Sequence, residues 1–271
     1  MKQDSLRSEV FIACPFDLLL DKYLPVFFSE RLQPEIGLNG GPIDQYPLNT
    51  FKKVARMFKK EGLACTVHAP FIDLSMGAID KKVRKLTVER MKKAVDIASI
   101  FEARSMVCHT GYDRKHYFSL KDTWFKNAIE SFQSLEEHAS YSHFPIMIEN
   151  VFELGPDIHK KILHRIDSKR FGFCLDVGHQ KVFSDTDIMD WLNELDAYLG
   201  QVHLHDNMGE VDDHMAIGKG VIDFESLFSF LKRKGKTPIF TIEAHKAEAV
   251  SPSLKTLQDL LERHHMPSVI K

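Results

Sequence analysis

The stretch IMIENVFELGPDIHKKILHRIDSKRFGFCLD, residues 146–176, contains one complete strand–helix–strand pattern and decides the fold. IMIEN and FGFCLD are short apolar runs with β-branched or aromatic residues, each closed by a polar group, as is typical of buried strands. Asp157–Arg165 lies between them and has the pattern of a helix. A helical crossover starts the next strand in the same direction, so this unit predicts two parallel strands.

The same alternation continues on both sides of this stretch. The candidate strands are EVFIAC, PEIGL, ACTVHA, SMVCHT, IMIEN, FGFCLD, QVHLH and IFTIEA. The candidate helices are Asn49–Glu61, Lys81–Phe101, Lys121–His138, Asp157–Arg165, Asp187–Leu195, Phe224–Lys234 and Ser253–His264, with a further helix around Leu18–Phe28 that Pro25 interrupts. Eight such units close most simply into a (β/α)8 TIM barrel, and 271 residues fit one barrel of ~250 residues. We therefore predict one α/β domain over residues 1–271.

Composition and charge exclude several classes of protein. A hydrophobic fraction of 44% and a charged fraction of 27% are ordinary for a globular protein with a full core. The net charge of −2 gives no long-range positive field, which argues against a dedicated nucleic-acid binder. FDLLLDKYLPVFF is broken by Asp21, Lys22 and Pro25, so we expect no membrane span. Four scattered cysteines without a CxxC pair indicate reduced thiols and a cytoplasmic location.

Metal-binding or proton-binding side chains close six successive candidate strands. They are His68, His109, Glu149, Asp176, His203 and Glu243. A single strand-end histidine is more often a packing residue, but in a closed barrel all six strand ends meet at one rim. Carboxylates gathered there would repel one another unless a cation shared them. The pattern therefore predicts a metal site, and imidazole with carboxylate favours Zn²⁺, Mn²⁺, Co²⁺ or Fe²⁺ over Ca²⁺.

Further candidates follow the strands. His179 lies three residues after Asp176, and Asp212 and His214 would point the same way if their loop is locally extended. The alternative for these residues is an ordinary polar surface loop. Lys219 in IGKG is a candidate contact for an anionic substrate or a solvated lysine. The remaining residues near the strand ends are Phe71 and Tyr112, which wall the pocket or pack beneath a loop, and Asp206, Glu210 and Asp213, which need no metal.

From about Pro34 to Glu243, these residues resemble those of the xylose isomerase-like TIM barrels, the superfamily that contains endonuclease IV (AP endonuclease family 2) and many sugar isomerases and epimerases. For the isomerases and epimerases, the resemblance implies one divalent ion held by Glu149, Asp176, His203 and Glu243. For endonuclease IV it implies three zinc ions, with His68 and His109 as further ligands, Glu149 as a bridging carboxylate, and His179, Asp212 and His214 around the third ion. The chain has HLHDNM and ENVFE where endonuclease IV has patterns like HLNDSK and ENTAG. These departures count against DNA repair.

Three functions remain open. The first is a divalent-metal-dependent isomerase or epimerase of a small sugar or sugar phosphate, in which Glu149 and Glu243 exchange protons beside a metal-polarised oxygen. In this case His179 and Lys219 contact the substrate, and His205 either supports the ligands from behind or contacts the substrate as well. The second is a phosphoesterase with up to three zinc ions, acting on a small phosphate ester or, as a lesser candidate, on abasic DNA. The third is a barrel that senses a metal or sugar without catalysis. We favour the first and expect one to three ions of Zn, Mn or Co, a small-molecule partner, and neither membrane nor nucleic acid; oligomerisation is left open.

Overall fold

The computed structural model describes residues 10–39 and 41–266 and has a closed barrel of eight parallel strands in sequence order. The strands are β1 Phe11–Pro15, β2 Gln33–Gly37, β3 Thr66–His68, β4 Met106–His109, β5 Ile146–Glu149, β6 Phe171–Asp176, β7 Leu199–Leu204 and β8 Ile239–Ile242. The predicted fold class and all eight predicted strands are confirmed. Since every strand runs in the same direction, their carboxyl ends form one rim.

Helices surround the barrel and connect its strands. The helical segment α1 combines α-helical Phe16–Leu18, a π-helical turn at Leu19–Tyr23 and α-helical Leu24–Ser29. The others are α2 Pro42–Gln45, α3 Leu48–Glu61, α4 Lys81–Ile100, α5 Arg114–Tyr117, α6 Lys121–His138, α7 Asp157–Ile166, α8 Val177–Phe183, α9 Ile188–Leu195, α10 Phe224–Lys234 and α11 Ala247–Arg263. The seven helices predicted after the first strand pair all exist.

Two prolines lie within the helical segments. The first helix is irregular next to Pro25, as expected from the sequence, because a π-helical turn at Leu19–Tyr23 precedes Leu24–Ser29, and Pro25 lies in the first turn of that segment, where a missing backbone N–H is tolerated. The last helix does not begin at Ser253, since α11 already starts at Ala247 and contains Pro252. Val250 and Leu254 pack against the hydrophobic core on either side of this proline. That packing offsets the usual cost of proline inside a helix.

The core has two parts with different compositions. The space between the strands and the helices is filled by a large apolar cluster that includes the fully buried Trp124, Trp191 and Phe173. A second cluster contains Val107, Met147 and Cys174, which lie two residues before His109, Glu149 and Asp176 and share their face of the sheet. The candidate site therefore rests on a packed apolar layer inside the barrel.

The environment of the cysteines agrees with the sequence. All four are buried free thiols, and burial raises the pKa of Cys65 and Cys108 to about 12. Within residues 10–39 and 41–266, no helix is both long enough and apolar enough to cross a membrane.

Candidate metal centre

The six strand-end residues lie together at the carboxyl rim. The parallel register pairs His109 with Glu149 across β4 and β5, and Asp176 with His203 across β6 and β7. Glu243 directly follows β8, and its backbone N–H bonds to Leu204 at the end of β7. Side chains distant in the sequence thus reach one small volume, as the strand ends predict.

Glu149 is the centre of this group. One carboxylate oxygen, Oε2, lies 3.0 Å from His68 Nε2 and 3.1 Å from His109 Nε2. The other, Oε1, lies 3.3 Å from both His203 Nδ1 and His179 Nδ1. Burial would raise the pKa of Glu149, but the charges and hydrogen bonds of the surrounding imidazoles hold it well below its usual value. The carboxylate is therefore ionised, as a metal ligand must be.

Four residues form the most complete ligand set: Glu149, Asp176, His203 and Glu243 offer ligand atoms that all lie within 4.8 Å of one another. His203 Nδ1 is 3.0 Å from Glu243 Oε2, and both of these atoms are buried without a hydrogen bond, as is Glu149 Oε1. Buried polar atoms are normally satisfied, so atoms left unpaired and pointing together need a common partner. A divalent cation fits this set in donor type and number.

Three more ligand groups adjoin the first. The first of them is His68, His109 and Glu149, the second is His179, Asp212 and His214, and the third is His205, His214 and Glu243. In the second group Asp212 Oδ2 lies 3.0 Å from His214 Nε2 and 3.3 Å from His179 Nε2. The sequence is compatible with a locally extended loop here. The loop is not extended at His214, whose backbone is left-handed with φ of 48°. That conformation still brings its ring onto Asp212.

Backbone carbonyls orient three of the imidazoles. The Nδ1 atoms of His68, His179 and His214 lie 2.8–3.0 Å from the carbonyl oxygens of Ala69, Asn150 and Glu243, respectively. A carbonyl only accepts, so each Nδ1 donates its proton. In the metal-free protein each Nε2 donates a proton to a carboxylate oxygen of Glu149 or Asp212, and loss of that proton would free its lone pair for a metal ion.

Asp176 fixes the position of His179, which lies three residues later in the chain. Asp176 is the N-cap of α8, and its Oδ1 accepts the backbone N–H of His179 at 2.7 Å. The Asn150 side chain bonds to both backbone groups of Asp176, at 2.9 Å each, and so ties the ends of β5 and β6 together. The first turn of α8 thus carries His179 to Glu149.

His205 lies below the ligands and does not reach the cavity mouth. Only 1% of it is exposed, and its Nε2 lies 3.0 Å from Asp176 Oδ1. Its ring stacks on His214 at 3.8 Å between centroids, and a Cβ on Gly178 would lie only 1.9 Å from His205 Cε1. His205 also forms a candidate ligand group with His214 and Glu243.

Two residues of the site were not predicted from the sequence. His245, two positions after Glu243, stacks on His214 at 3.6 Å and lines the mouth. Glu35 of β2 is buried, and its Oε1 lies 3.0 Å from His203 Nε2. A carboxylate in the middle of a buried strand indicates a functional or structural role. Glu35 was missed because the prediction from the sequence considered only residues at the ends of strands.

Glu35 belongs to a buried polar layer inside the barrel, formed with Thr66, Gln201 and Thr241. Its Oε2 accepts hydrogen bonds from Thr66 Oγ1 at 2.9 Å, Gln201 Nε2 at 2.6 Å and Thr241 Oγ1 at 3.1 Å. These three donors fix the carboxylate, which in turn fixes the ring of His203.

Two cavities of about 500 and 730 Å³ open above the site and share His68, Phe71, Glu243 and His245. Phe71 stacks on His109 at 4.4 Å, and Tyr112 lines the larger cavity, so both wall the pocket. Lys219 is exposed and lines neither cavity. Glu210 and Asp213 are also exposed, as befits residues with no metal to bind.

The fold and these side chains define a TIM barrel with a candidate metal centre at the carboxyl ends of its strands. The chain belongs to the xylose isomerase-like TIM barrel family, whose sequence model matches residues 27–264.

Relatives with assigned and unassigned roles both match. The uncharacterized protein MJ1311 of Methanocaldococcus jannaschii is 30% identical over 203 residues, which cover 72% of this chain and 69% of that protein. The L-ribulose-5-phosphate 3-epimerase UlaE of Salmonella paratyphi C is 26% identical over 181 residues, which cover 66% of this chain and 63% of the epimerase.

Solved structures share the fold over nearly the whole chain. A D-tagatose 3-epimerase-like protein superposes with a TM-score of 0.82 and 24% identity, covering 95% of this chain and 98% of the other. The TTHB071 protein of Thermus thermophilus, from a crystal soaked with ZnCl2, has a TM-score of 0.80 and 25% identity, covering 94% of this chain and 98% of the other. Sugar epimerases are thus among both the relatives and the structural neighbours of this chain.

Proposed function

We propose that the protein is a divalent-metal-dependent isomerase or epimerase of a small sugar. The observation that carries this proposal is the set of Glu149, Asp176, His203 and Glu243, whose ligand atoms lie within 4.8 Å of one another below an open cavity. The similarity to a sugar-phosphate 3-epimerase over two thirds of the chain supports the same reaction class. Epimerisation and isomerisation both need a proton moved at a carbon next to a polarised oxygen, and paired carboxylates can move it.

The two glutamates have different surroundings that suit different sides of a substrate. The Glu243 side chain is 21% exposed and lines both cavities, so its carboxylate meets the substrate directly. Glu149 is 1% exposed, with Oε2 held by His68 and His109. When bound, a divalent ion supplies Lewis-acid polarisation of a substrate carbonyl or hydroxyl oxygen.

Both carboxylates begin in the form that accepts a proton. Burial would raise the pKa of Glu243, but its ion pair with His203 holds it well below its usual value, and the imidazoles around Glu149 lower the pKa of Glu149 in the same way. In the proposed reaction Glu243 Oε2 takes the proton from the substrate carbon. In isomerisation the protonated Glu243 returns this proton to the neighbouring carbon. In epimerisation Glu149 Oε2 takes a proton from the adjacent His68 and delivers it to the opposite face of the carbon, while Glu243 loses its proton to solvent.

One observation favours the phosphoesterase as a second candidate. The two oxygens of Glu149 face different histidines, Oε2 towards His68 and His109 and Oε1 towards His203 and His179. A carboxylate placed in this way suits a bridge between two ions, and a single-ion isomerase does not need the third group of His179, Asp212 and His214.

Metal analysis combined with an assay panel separates the two candidates. We expect aldose–ketose isomerase or epimerase turnover with one exchangeable Mn²⁺ or Co²⁺ per chain. About three zinc ions per chain together with phosphoesterase turnover would overturn the isomerase and support the hydrolase.

The substitution Glu149→Gln tests the site itself. It keeps the shape but removes the charge, so we expect turnover to fall about 100-fold to 10,000-fold. The matched control Glu210→Gln changes an exposed glutamate at the same end of the barrel and should leave kcat unchanged. Intact turnover in Glu149→Gln, measured in steady-state assays on the metal-loaded protein, places the catalytic centre elsewhere.

A further inference from the structure

The first and last strands of the barrel separate at the carboxyl rim. β1 pairs with β2 along its whole length, from Phe11↔Gln33 to Pro15↔Gly37, but with β8 only at Phe11↔Thr241 and Ile12↔Ile242. The cavity of about 500 Å³ lies where these strands part, between helices α1 and α11. We call it the β1–β8 cavity.

Apolar side chains form most of the wall of the β1–β8 cavity. Helix α1 contributes Leu18, Tyr23 and Val26, and helix α11 contributes Val250 and Leu254. Leu18 and Val26 are 48% and 44% exposed, so the wall offers apolar surface that a ligand can bury. The cavity is continuous with the candidate metal centre because Glu243 and His68 line both.

The charges around the site disfavour a phosphate. Among the described residues, neither the β1–β8 cavity nor the larger cavity has a lysine or arginine in its wall. The β1–β8 cavity instead contains the carboxylates of Glu35 and Glu243. The N-terminal turn of α11 also reaches the wall through Ala247, but it already carries the acidic Glu248. Within residues 10–39 and 41–266, an anionic group would therefore meet no arginine or lysine, the partners that phosphate sites use.

We infer that the substrate, given the proposed function, is an unphosphorylated sugar that carries an apolar substituent. The substituent, a short alkyl or aryl group, lies in the β1–β8 cavity. The sugar ring or chain lies beside Glu243 and Glu149. Such a substrate is anchored by its apolar substituent, whereas a sugar phosphate is anchored by its phosphate group. The proposed proton transfer is the same for both.

Three matched probes test the inference by isothermal titration calorimetry on the metal-loaded protein: D-glucose, D-glucose 6-phosphate and phenyl β-D-glucopyranoside. We expect the phenyl glucoside to bind about tenfold or more tightly than glucose, since the ring buries apolar surface. Glucose 6-phosphate should bind no more tightly than glucose.

Two variants at one wall position locate the binding. Val250→Trp fills the cavity and should remove the advantage of the phenyl glucoside, whereas Val250→Ala leaves the cavity open and should retain it. Thermal unfolding of both variants checks that the barrel is intact. The inference is overturned by tightest binding of glucose 6-phosphate, by equal binding of glucose and its phenyl glucoside, or by a phenyl advantage that survives in Val250→Trp.

These measurements read binding and not turnover. Absence of isomerase or epimerase turnover would contradict the proposed function. The inference about the substrate is tested separately, by the relative affinities of the three probes.

Discussion

At the scale of single residues, the site depends on how each ligand is held. Both ring nitrogens of His203 have carboxylate partners. Nδ1 faces Glu243 and Glu149, and Nε2 faces Glu35. Burial would lower the pKa of His203, but Cys174 and the surrounding carboxylates raise it well above its usual value. In the metal-free protein this ring is therefore charged, and binding a cation at Nδ1 must displace a proton.

Glu35 should strengthen metal binding although it lies behind the ligand. We expect Glu35→Gln to weaken the affinity for Zn²⁺ or Mn²⁺ about 10-fold to 100-fold, because the ring of His203 loses its charged partner. Competition titration with a chromophoric chelator measures the change. Glu61→Gln, at the exposed end of α3, is the control. Equal affinities in the two variants would show that Glu35 serves only the folding of the barrel.

His214 gives the metal-free protein a stability that depends on pH. Burial lowers the pKa of His214, but its hydrogen bond to Asp212 and the nearby carboxylates raise it from 6.5 to about 9. Because the folded-state pKa is the higher one, the stabilisation is fully present below pH 6.5 and is lost as the pH rises through about 9. Burial would raise the pKa of Asp212, but its histidine partners lower it, so its own contribution is lost only in acid.

Urea unfolding in the presence of a chelator checks this linkage. The loss of unfolding free energy caused by His214→Gln should be larger at pH 6 than at pH 10. A loss that is the same at both pH values contradicts the assigned pairing of His214 with Asp212.

At the scale of elements, the loop between β7 and α10 is organised by a residue that binds no metal. Asp206 is fully buried and accepts backbone hydrogen bonds from Gly218 at 3.0 Å, Gly220 at 2.8 Å and Ile222 at 3.2 Å. A Cβ on Gly220 would lie 2.4 Å from Asp206 Oδ1, so only glycine allows this approach. The folded loop holds Asp212 and His214 over the barrel.

Removal of this carboxylate should loosen the loop more than the barrel. We expect Asp206→Ala to cost about 3 kcal/mol, because several buried N–H groups lose their acceptor. It should also reduce the number of bound metal ions by weakening the Asp212 and His214 group. Asp213→Ala, a change in the same loop at an exposed position, should alter neither quantity. Equal unfolding free energies and metal contents for the two variants would refute this role.

The elements themselves were largely predictable from the sequence. The apolar runs of five or six residues and the helical pattern of Lys81–Phe101 depend on local side-chain patterns, which the fold retains. The exceptions have local causes. The short helix α8 resembles a turn in the sequence because its seven residues carry too few apolar positions to show a period. The early start of α11 was hidden by Pro252.

At the scale of the whole molecule, barrel closure brings the site together. The sequence could place His68, His109, Glu149, Asp176, His203 and Glu243 at one rim because parallel strands end at one rim. It could not place Glu35 or His245, whose roles depend on which ring lies opposite them. The β1–β8 cavity was also out of reach, since the separation of two strands depends on packing between helices α1 and α11.

Metal removal should destabilise the barrel as a whole. The ligands come from strands β3 to β8 and the loops after them, so a bound ion links most of the ring and binds only the folded state. At a free metal concentration about 100 times the Kd, binding adds ~2.7 kcal/mol, which is about 5–10 °C in Tm. Differential scanning calorimetry with metal and with a chelator measures the shift. Identical Tm values would mean that the clustered side chains hold no ion.

The separation of β1 and β8 also affects how the local stability of β1 depends on that of β8. The wall of the cavity belongs to the first strand and helix on one side and to the last helix on the other. A ligand bound in this cavity would contact β1 and α1 on one side and α11 on the other, and would thereby link them. Amide hydrogen exchange in β1 and β8 would then slow together on binding, although fewer than half of the residues of β1 pair with β8.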